Sequence, residues 1–561
     1  MSRSVVVDIE TNRAHDKIWC AVVLEVGGES QPTVCTSPEQ LALCLARGQD
    51  YLVGHNIIAF DAPVLRECWG IDLCDYGVLR DTLIMGRLLY PSVSDGHSLR
   101  AWCLRTGQEA QKDSFSDFDA GLSKEMIDYC IQDCRANAEL YLWMITELVA
   151  QRFKVDSMHL EHDIARIIDR QKRKGFLIDG AGAMELYNQH EQRMEEIIAE
   201  MQEVFPPVVH ERWSEKTGKR LKDRIETFNP GSRQHIARRL QAMGVKFRNF
   251  TPTGQPQVSE TDLEEIDLPE AKLCAEYLTL QKRLGMVKSW LDHQAVDERV
   301  HGSVLTNGAV TGRMTHTAPN MAQIPRLAEY RRLFIVPEGY KLVGCDAQGL
   351  ELRMLAHYMQ DDAYTAQVLE GDIHSYNQEM AGLPERYQAK TFIYAFLYGA
   401  GDAKIGQIVG GNAKDGARLK EKFLAEVPAL AKLLAKLKTI TKNSKTKDYK
   451  GEEVTSVPGL DGRRIWIRHE HAALNSLLQG AGAVVMKKAL VIADAELQKR
   501  GLEYEFVANV HDEWQVEARA DHAEEVGQVL EWAIAEAGRQ LDMRCPLAGE
   551  SKVGDNWSET H

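Results

Sequence analysis

Hydrophobic and polar positions along this chain follow two rhythms, and the switches between them mark its elements. Near the N-terminus SVVVDIET is a short apolar run, the pattern of a buried strand. Successive strand side chains alternate between faces, so Asp8 and Glu10 point to the same side. LVGHNIIAFDAPVL places Asp61 after a second apolar stretch, at the start of a helix. EMIDYCIQDCRANAELY is helical and sets Tyr129 and Asp133 one turn apart on one face. From about 156 to 300 the pattern is mainly helical. Leu160, Ile164, Ile167 and Ile168 share a face of a helix that Gly175 ends. FNPGSRQHIARRLQAMG predicts a helix with Ser232 as N-cap and Gly244 as its stop, and EYLTLQKRLGMVKSWL predicts another long helix. Between a helix ending near Phe205 and Asn229, residues 206–228 hold only a short basic segment, read as a solvated loop or a contact for a nucleic-acid backbone. Further on, YKLVGCDAQGLELRMLAH is a strand ending at Asp346 and a helix from about Leu350. EFVANVHDEWQVEA is strand, tight turn, strand, with His511, Asp512 and Glu513 at the turn.

One stretch departs from simple amphipathicity. In RYQAKTFIYAFLYG, Arg386, Lys390, Tyr394 and Tyr398 recur every four residues. At about 100° per residue they form one slowly winding stripe, two cations first and two aromatics after. Phe392, Ile393, Ala395, Phe396 and Leu397 cover the other faces. Cations one turn apart suit a polyphosphate, and the following aromatic suits a base and sugar.

Composition narrows the class. A chain of 561 residues implies several domains, and 44% hydrophobic with 27% charged residues is ordinary for a globular protein. No membrane-length apolar run and no signal-peptide architecture are apparent. The eleven cysteines include no CxxC pair; Cys130 and Cys134 are one helical turn apart, with no His or Cys cluster to complete a zinc site. Reduced thiols in a cytoplasm are the simplest expectation. The net charge of −15 speaks against a protein that merely coats nucleic acid. It allows an enzyme with a locally basic cleft and carboxylates for metals. Basic runs occur at Arg212 to Arg224 and at Lys436 to Lys450.

The ordered set D-x-E, N-x-x-x-x-D and Y-x-x-x-D within about the first 135 residues resembles the DEDD superfamily of 3′→5′ exonucleases, in the subtype with tyrosine in its third motif. The resemblance implies an RNase H-like domain in which Asp8, Glu10, Asp61 and Asp133 hold two divalent metals and Tyr129 orients the attacking water. Asp346, the Arg386 helix and Asp512 match the three motifs of the family A DNA polymerases in order. The likeness is nearest to the replicative polymerases of short-tailed phages; NGAVTGRMTHTAPNMAQIP, DIHS and HAALNSLLQGAGA resemble further stretches of that branch.

That resemblance implies an α/β multidomain chain: an exonuclease domain over 1–155, thumb and connecting helices over 156–300, palm over 301–375 and 484–561, and fingers over 376–483. Asp346, Asp512 and the carbonyl of Ala347 would hold two magnesium ions, with manganese tolerated. Arg386, Lys390 and His374 would bind the triphosphate, with Lys390 as proton donor to pyrophosphate. Tyr394 and Glu351 would bind base and sugar and exclude ribonucleotides, and Ala347 and Gln348 fall in the same nucleotide group. Gln348 stands where many relatives carry another residue, and its contact is not legible. Arg313, Gln479, Asn475 and His511 would touch the primer-template, and Tyr398 and Gly399 would border the template base. Implied partners are primer-template DNA, deoxynucleoside triphosphates, a phage helicase-primase and a single-stranded DNA-binding protein. The expected form is a monomer in the host cytoplasm. The short 206–228 segment leaves no space for the insert that recruits thioredoxin in related phage enzymes, so no thioredoxin dependence is expected. Competing classes are an exonuclease-dominated repair enzyme, a catalytically weak DNA-binding homologue, and a single-subunit RNA polymerase, which Glu351 and the exonuclease motifs disfavour.

Overall fold

The structure, a computed structural model, describes residues 3–93, 95–107, 115–247, 250–447, 450 and 452–561. The chain divides into two compact units, residues 1–175 with 302–317 and 336–561, and residues 176–301 with 318–335.

In the first unit the N-terminal apolar run is the central strand, Ser4–Thr11, of a five-stranded sheet. It pairs antiparallel with Ile18–Glu25 and parallel with Tyr51–Gly54; Thr33–Cys35 and Val78–Asp81 form the edges. Both faces are covered, which explains the unbroken hydrophobic run. Val5, Val7 and Ile9 join the core containing Ala62 and Leu65, while Val6, Val22 and Leu24 join the one containing Cys130, Cys134 and Leu140.

A second sheet carries the other motifs. Its antiparallel order is Tyr504–Val510, Glu513–Arg519, Tyr340–Ala347, Gly549–Gly554. The helices Ala473–Lys499 and Ala523–Gln540 share its core, as do the helices from Ile373 to Asn443. The segment Glu470–Lys499 corrects the expectation that no run reaches membrane length: it is long and apolar enough, but 78% of its most apolar window is buried inside the protein. It is apolar all round because it is a central core helix.

The expected boundary at 155/156 falls elsewhere. Leu160, Ile164, Ile167 and Ile168 of the Val155–Lys174 helix belong to the same core as Val343 and Trp514, so this helix goes with the first unit. Residues 318–335, expected in the palm, go with the second.

The second unit is built on the helices Gly180–Val204 and Pro269–Asp292, packed with Arg233–Ala242 around Ile197, Met201, Ile236 and Leu278. Ser232 caps its helix by accepting from the His235 N–H. The segment expected as a loop is instead a β-hairpin, Val208–Trp213 with Arg220–Glu226. Its alternation is hidden because both faces are wet and charged, which erases the period-2 signal that burial imposes.

Candidate active site

The polymerase-type centre starts from sheet register. Asp346, at the end of its strand, faces Glu513 across the ladder, and the Ala347 N–H donates to the Asp512 carbonyl at 3.0 Å. Two acids 166 positions apart in sequence therefore stand at neighbouring strand ends. The tight turn at His511 and Asp512 is made by a left-handed His511, φ 59°. Glu513 opens the next strand, buried, and accepts from the Trp557 indole, from Gln515 at 2.8 Å and from His561 at 2.9 Å. C-terminal side chains thus brace the strand behind Asp512, an arrangement no local pattern could reveal.

The Arg386–Leu397 helix presents its stripe as expected: Ala389, Phe392, Ile393 and Leu397 are buried, while Arg386 and Lys390 are exposed and Tyr394 is half-buried. Ala395 and Phe396 are only half-buried. Tyr398 ends the helix, and Gly399 follows at φ 74°, where a Cβ would come within 2.9 Å of the His471 carbonyl. The Tyr398 hydroxyl donates to Glu351 at 2.7 Å, and Arg313 approaches the same carboxylate oxygen at 3.4 Å. Burial first, then the charges of Glu351 and Asp512, push the Tyr394 phenol up. Burial together with Arg386 and Lys390 holds the His374 imidazole below its ordinary value, and its ring centre lies 6.1 Å from that of Tyr394.

Asp372 was missed by sequence reasoning. It caps the Ile373–Ala381 helix through the His374 N–H and grips Arg386 with two bonds of 2.6 and 2.9 Å. The Arg386 contact holds the Asp372 carboxyl well below the usual carboxylate range. The available signal was an aspartate opening the DIHS helix. Gln348 is exposed and donates to Glu550 at 3.3 Å on the neighbouring strand. Asn475 and Gln479 lie one turn apart on the half-buried side of the Ala473–Lys499 helix. Arg313, His511 and Asp512 line one small cavity with Leu350, Gly482 and Lys487.

Lys487 belongs to a buried, charge-neutral quartet. One Glu161 oxygen accepts from Arg463 and from Lys487, both at 2.6 Å, and Arg463 also grips Asp461. Burial pushes the Lys487 ammonium down to about 8 against the pull of Glu161. Gly312, at φ 78°, lies so close that a Cβ would meet the Arg463 guanidinium at 2.7 Å. The loop carrying Arg313 therefore rests on this quartet.

The N-terminal acids also converge. Asp61 opens the Asp61–Trp69 helix, is 2% exposed, and accepts from the Ile9 N–H at 3.2 Å. Burial and the Asp8 charge push its carboxyl well up. Tyr129, on the Lys124–Ala150 helix, is pushed up by burial and by Asp133, Glu10 and Asp8. Contrary to the expectation for Cys130 and Cys134, other groups do join them. The ligand atoms of Asp8, Cys130 and Cys134 all lie within 4.8 Å of one another, and the Cys20 thiol bonds to Cys130. Long-range pairing of Asp8 with Val22 and of Glu10 with Cys20 brings this about.

Both acid sets fit hard divalent cations by donor type: carboxylates on adjacent elements, each raising the energetic cost of its neighbours' charge. Two acids at neighbouring strand ends, and a helix that exposes Arg386 and Lys390, are groups that nucleotidyl transfer with divalent metals requires. Residues 207–559 match DNA polymerase family A. A DNA-directed DNA polymerase of Escherichia phage T7 is 32% identical over 99% of this chain and all of its own length, and that of Enterobacteria phage T3 is 32% identical over 91% and 92%. A DNA polymerase I of Pseudomonas aeruginosa is 27% identical over 79% of this chain and 49% of its own. The POL domain of Pol1 from M. smegmatis, solved with DNA primer-template and dNTP, shares the fold with a TM-score of 0.76 at 19% identity, covering 100% of this chain and 96% of that one. The chain belongs to DNA polymerase family A, whose members use divalent metal ions.

Proposed function

We propose that this chain copies a DNA template by extending a primer with deoxynucleotides and edits the primer end through its N-terminal acids. The observation that supports the first half is the Ala347-to-Asp512 bond, which joins the end of the Asp346 strand to the turn that carries Asp512. Asp346 and Asp512 would hold divalent cations, magnesium by preference, which would neutralise charge on the attacking 3′-oxygen and the leaving pyrophosphate. Arg386, Lys390 and His374 hold the β- and γ-phosphates, and Lys390 gives a proton to the departing pyrophosphate. Asp372 aims Arg386 at that position. Tyr394 carries base and sugar, while Glu351, held by Tyr398 and Arg313, fills the space a 2′-hydroxyl would need. Arg313 and Gln479, with Asn475 and His511, donate to minor-groove acceptors and the primer end, interactions that check pair shape without reading sequence. Tyr398 and Gly399 border the template base.

In the N-terminal cluster Asp8, Glu10, Asp61 and Asp133 would hold divalent cations, and Tyr129 would orient the water that cleaves the terminal phosphodiester. Helicase-primase and single-stranded DNA-binding protein are the partners this reading implies. Thioredoxin is not among them: the 206–228 segment is only a two-stranded hairpin. An alignment of 709 positions against 561 residues also means the T7 relative has stretches this chain lacks.

Primer extension with each deoxy-, ribo- and dideoxynucleotide tests the reading. The expected outcome is efficient deoxynucleotide and dideoxynucleotide use, ribonucleotide exclusion, and weaker dideoxy termination in Tyr394→Phe. Metal-dependent 3′-end degradation that survives Asp8→Ala with Glu10→Ala would remove the editing assignment. Extension on a single-primed circle, unchanged by added thioredoxin, checks the partner assignment.

A further inference from the structure

The N-terminal acids share their ground with three thiols that the editing chemistry leaves unused. Asp8 and Glu10 project from one face of the Ser4–Thr11 strand. Cys20 stands opposite Glu10 on the Ile18–Glu25 strand, so its side chain leaves the sheet on the same face. The Lys124–Ala150 helix packs there and buries Cys130 and Cys134, one turn apart, in one core with Val6, Val22 and Cys20. All three thiols are free and buried, whereas Asp8 is only half-buried, so a cation from solvent meets the carboxylate first.

Their spacing is that of donors around a single small ion. The Cys130 thiol donates to Asp8 Oδ2 at 3.5 Å, and the ligand atoms of Asp8, Cys130 and Cys134 all lie within 4.8 Å of one another. Cys130 bonds to Cys134 and to Cys20 as well. Around a tetrahedral zinc ion, about 2.3 Å from sulfur and about 2.0 Å from a carboxylate oxygen, sulfur and oxygen donors stand about 3.5 Å apart and two sulfurs about 3.8 Å apart. Two ligands four residues apart on one helix face are a common way to present a pair of donors to zinc. Buried cysteines often serve only as small apolar filling. Filling does not account for a carboxylate oxygen as a partner of Cys130, nor for three thiols bonded in a row beside it.

We propose that Asp8, Cys130 and Cys134, with Cys20 beside them as a fourth donor, form a site for a thiophilic divalent cation of the zinc class, and that its occupation silences 3′-end editing by drawing Asp8 out of the magnesium set. Each thiol that binds gives its proton to solvent, so two thiolates balance the ion's charge and the Asp8 carboxylate adds one negative charge more. Magnesium, a hard ion, leaves the thiols protonated and keeps to carboxylates, so the two kinds of cation compete for Asp8 alone. The silencing rests on the reading that the N-terminal acids edit. A chain that binds the cation through thiolates but degrades no 3′ end with magnesium sinks the editing reading and leaves the site; a chain that degrades 3′ ends but offers no thiolate to the cation sinks the site.

The test uses the full chain, its thiols kept reduced by a phosphine that binds no zinc. Cobalt(II) is the probe of ligand type, because thiolate ligation gives an intense near-ultraviolet charge-transfer band that carboxylates and water do not give. The wild type is expected to show that band on binding cobalt, and zinc to erase it by displacement. Cys130→Ala and Cys134→Ala are each expected to lose the band and to bind about a hundred-fold or more weakly, the upper range for losing even an outer partner of a metal ligand. Thermal melting establishes that each variant is folded; if one is not, the other decides, and the wild-type band stands without either. With magnesium present, zinc at about ten times its Kd under those conditions should slow 3′-end degradation by the wild type about ten-fold, as mass action requires. The same zinc should leave degradation by a folded variant unchanged. A cobalt complex of the wild type without the band overturns the proposal. So does zinc inhibition of equal size in the wild type and a folded variant, which would place the inhibiting ion on the carboxylates.

Discussion

The two acid clusters of the first unit solve the same electrostatic problem in opposite ways. On the side of Asp346 and Asp512 the protein carries cations of its own, Arg386 and Lys390 on one helix and Arg313 lining a cavity with Asp512, and both acids are only half-buried. Around Asp8, Glu10, Asp61 and Asp133 the burial is deeper: Glu10 is 6% exposed, Asp61 2%, and thiols stand beside Asp8. Burial with like charge drives Asp61 up, while a cationic neighbour drives Asp372 down. A half-buried acid pair with cations on other elements suits an anionic nucleotide; deeply buried acids that raise one another's cost of ionisation couple folding to cation binding.

The strongest way to break this comparison is to exchange the activities. Asp346→Ala or Asp512→Ala is expected to lower primer extension by about three orders of magnitude or more, about 4 kcal/mol of barrier, and to leave 3′-end degradation intact. Asp8→Ala with Glu10→Ala should do the reverse, and loss of both activities in either variant would mean the centres are not separate. Next in size is the quartet beneath the Arg313 loop. Glu161→Ala leaves Arg463 and Lys487 without their shared partner in a dry site, and should cost about 3–5 kcal/mol in urea unfolding. Glu161→Gln should cost less, because its carbonyl still accepts.

The built-in cations are tested by Arg386→Ala, expected to raise the KM for nucleotides about ten- to hundred-fold with a smaller fall in kcat. Asp372→Asn should raise it less, since the guanidinium remains but loses its aim. Asp61→Asn sharpens the contrast from the other side. It should raise the melting temperature of the metal-free chain by removing a buried charge, erase part of the stabilisation that added magnesium brings, and abolish 3′-end degradation. A lower melting temperature without metal would refute the claim that burial beside Asp8 makes the Asp61 charge costly.

The smallest effect is expected from acid. His162 is buried and neutral, its Nδ1 donating to the Met158 carbonyl at 2.7 Å and its Nε2 accepting from the Asp81 N–H at 2.8 Å, and burial lowers it from 6.5 to about 3. Its contribution is complete above pH 6.5 and is lost as pH falls toward 3, because the unfolded chain takes up the proton first. Asp81, raised by burial from 3.8 to about 6, has the opposite sign: the folded chain binds its proton first, and stability is gained as pH falls from 6 to 3.8. The two oppose each other across that window, so wild-type stability should change little. His162→Asn should gain on the wild type progressively as pH drops below 6.5, measured by thermal melting across a pH series.

Much of the candidate site was legible because each motif is local. The D-x-E of a strand, the Tyr129 and Asp133 pair on a helix, and the four-residue stripe from Arg386 all follow from backbone periods that need no knowledge of neighbours. The missing parts are partners in space. Asp372 lies 14 residues from Arg386 on another helix, Glu161 lies 302 from Arg463 and 326 from Lys487, and Trp557 lies 44 from the Glu513 it braces. The hairpin at 208–226 escaped because strands with two wet faces leave no alternation to read. The helix Val155–Lys174 was seen as a helix, yet the core that claims it was not.

By itself the amino-acid sequence determined which chemical groups this protein carries, on which kind of element, and in what order along the chain. Only the tertiary structure decided which of them share a charge environment: that Asp512 sits against Ala347, that two thiols stand beside Asp8, and that the loop of Arg313 rests on a buried quartet. The reason is that periodicity is a property of a few consecutive dihedral angles. Neutralising a buried charge instead takes groups hundreds of residues apart, brought within bonding distance by the packing of the whole core.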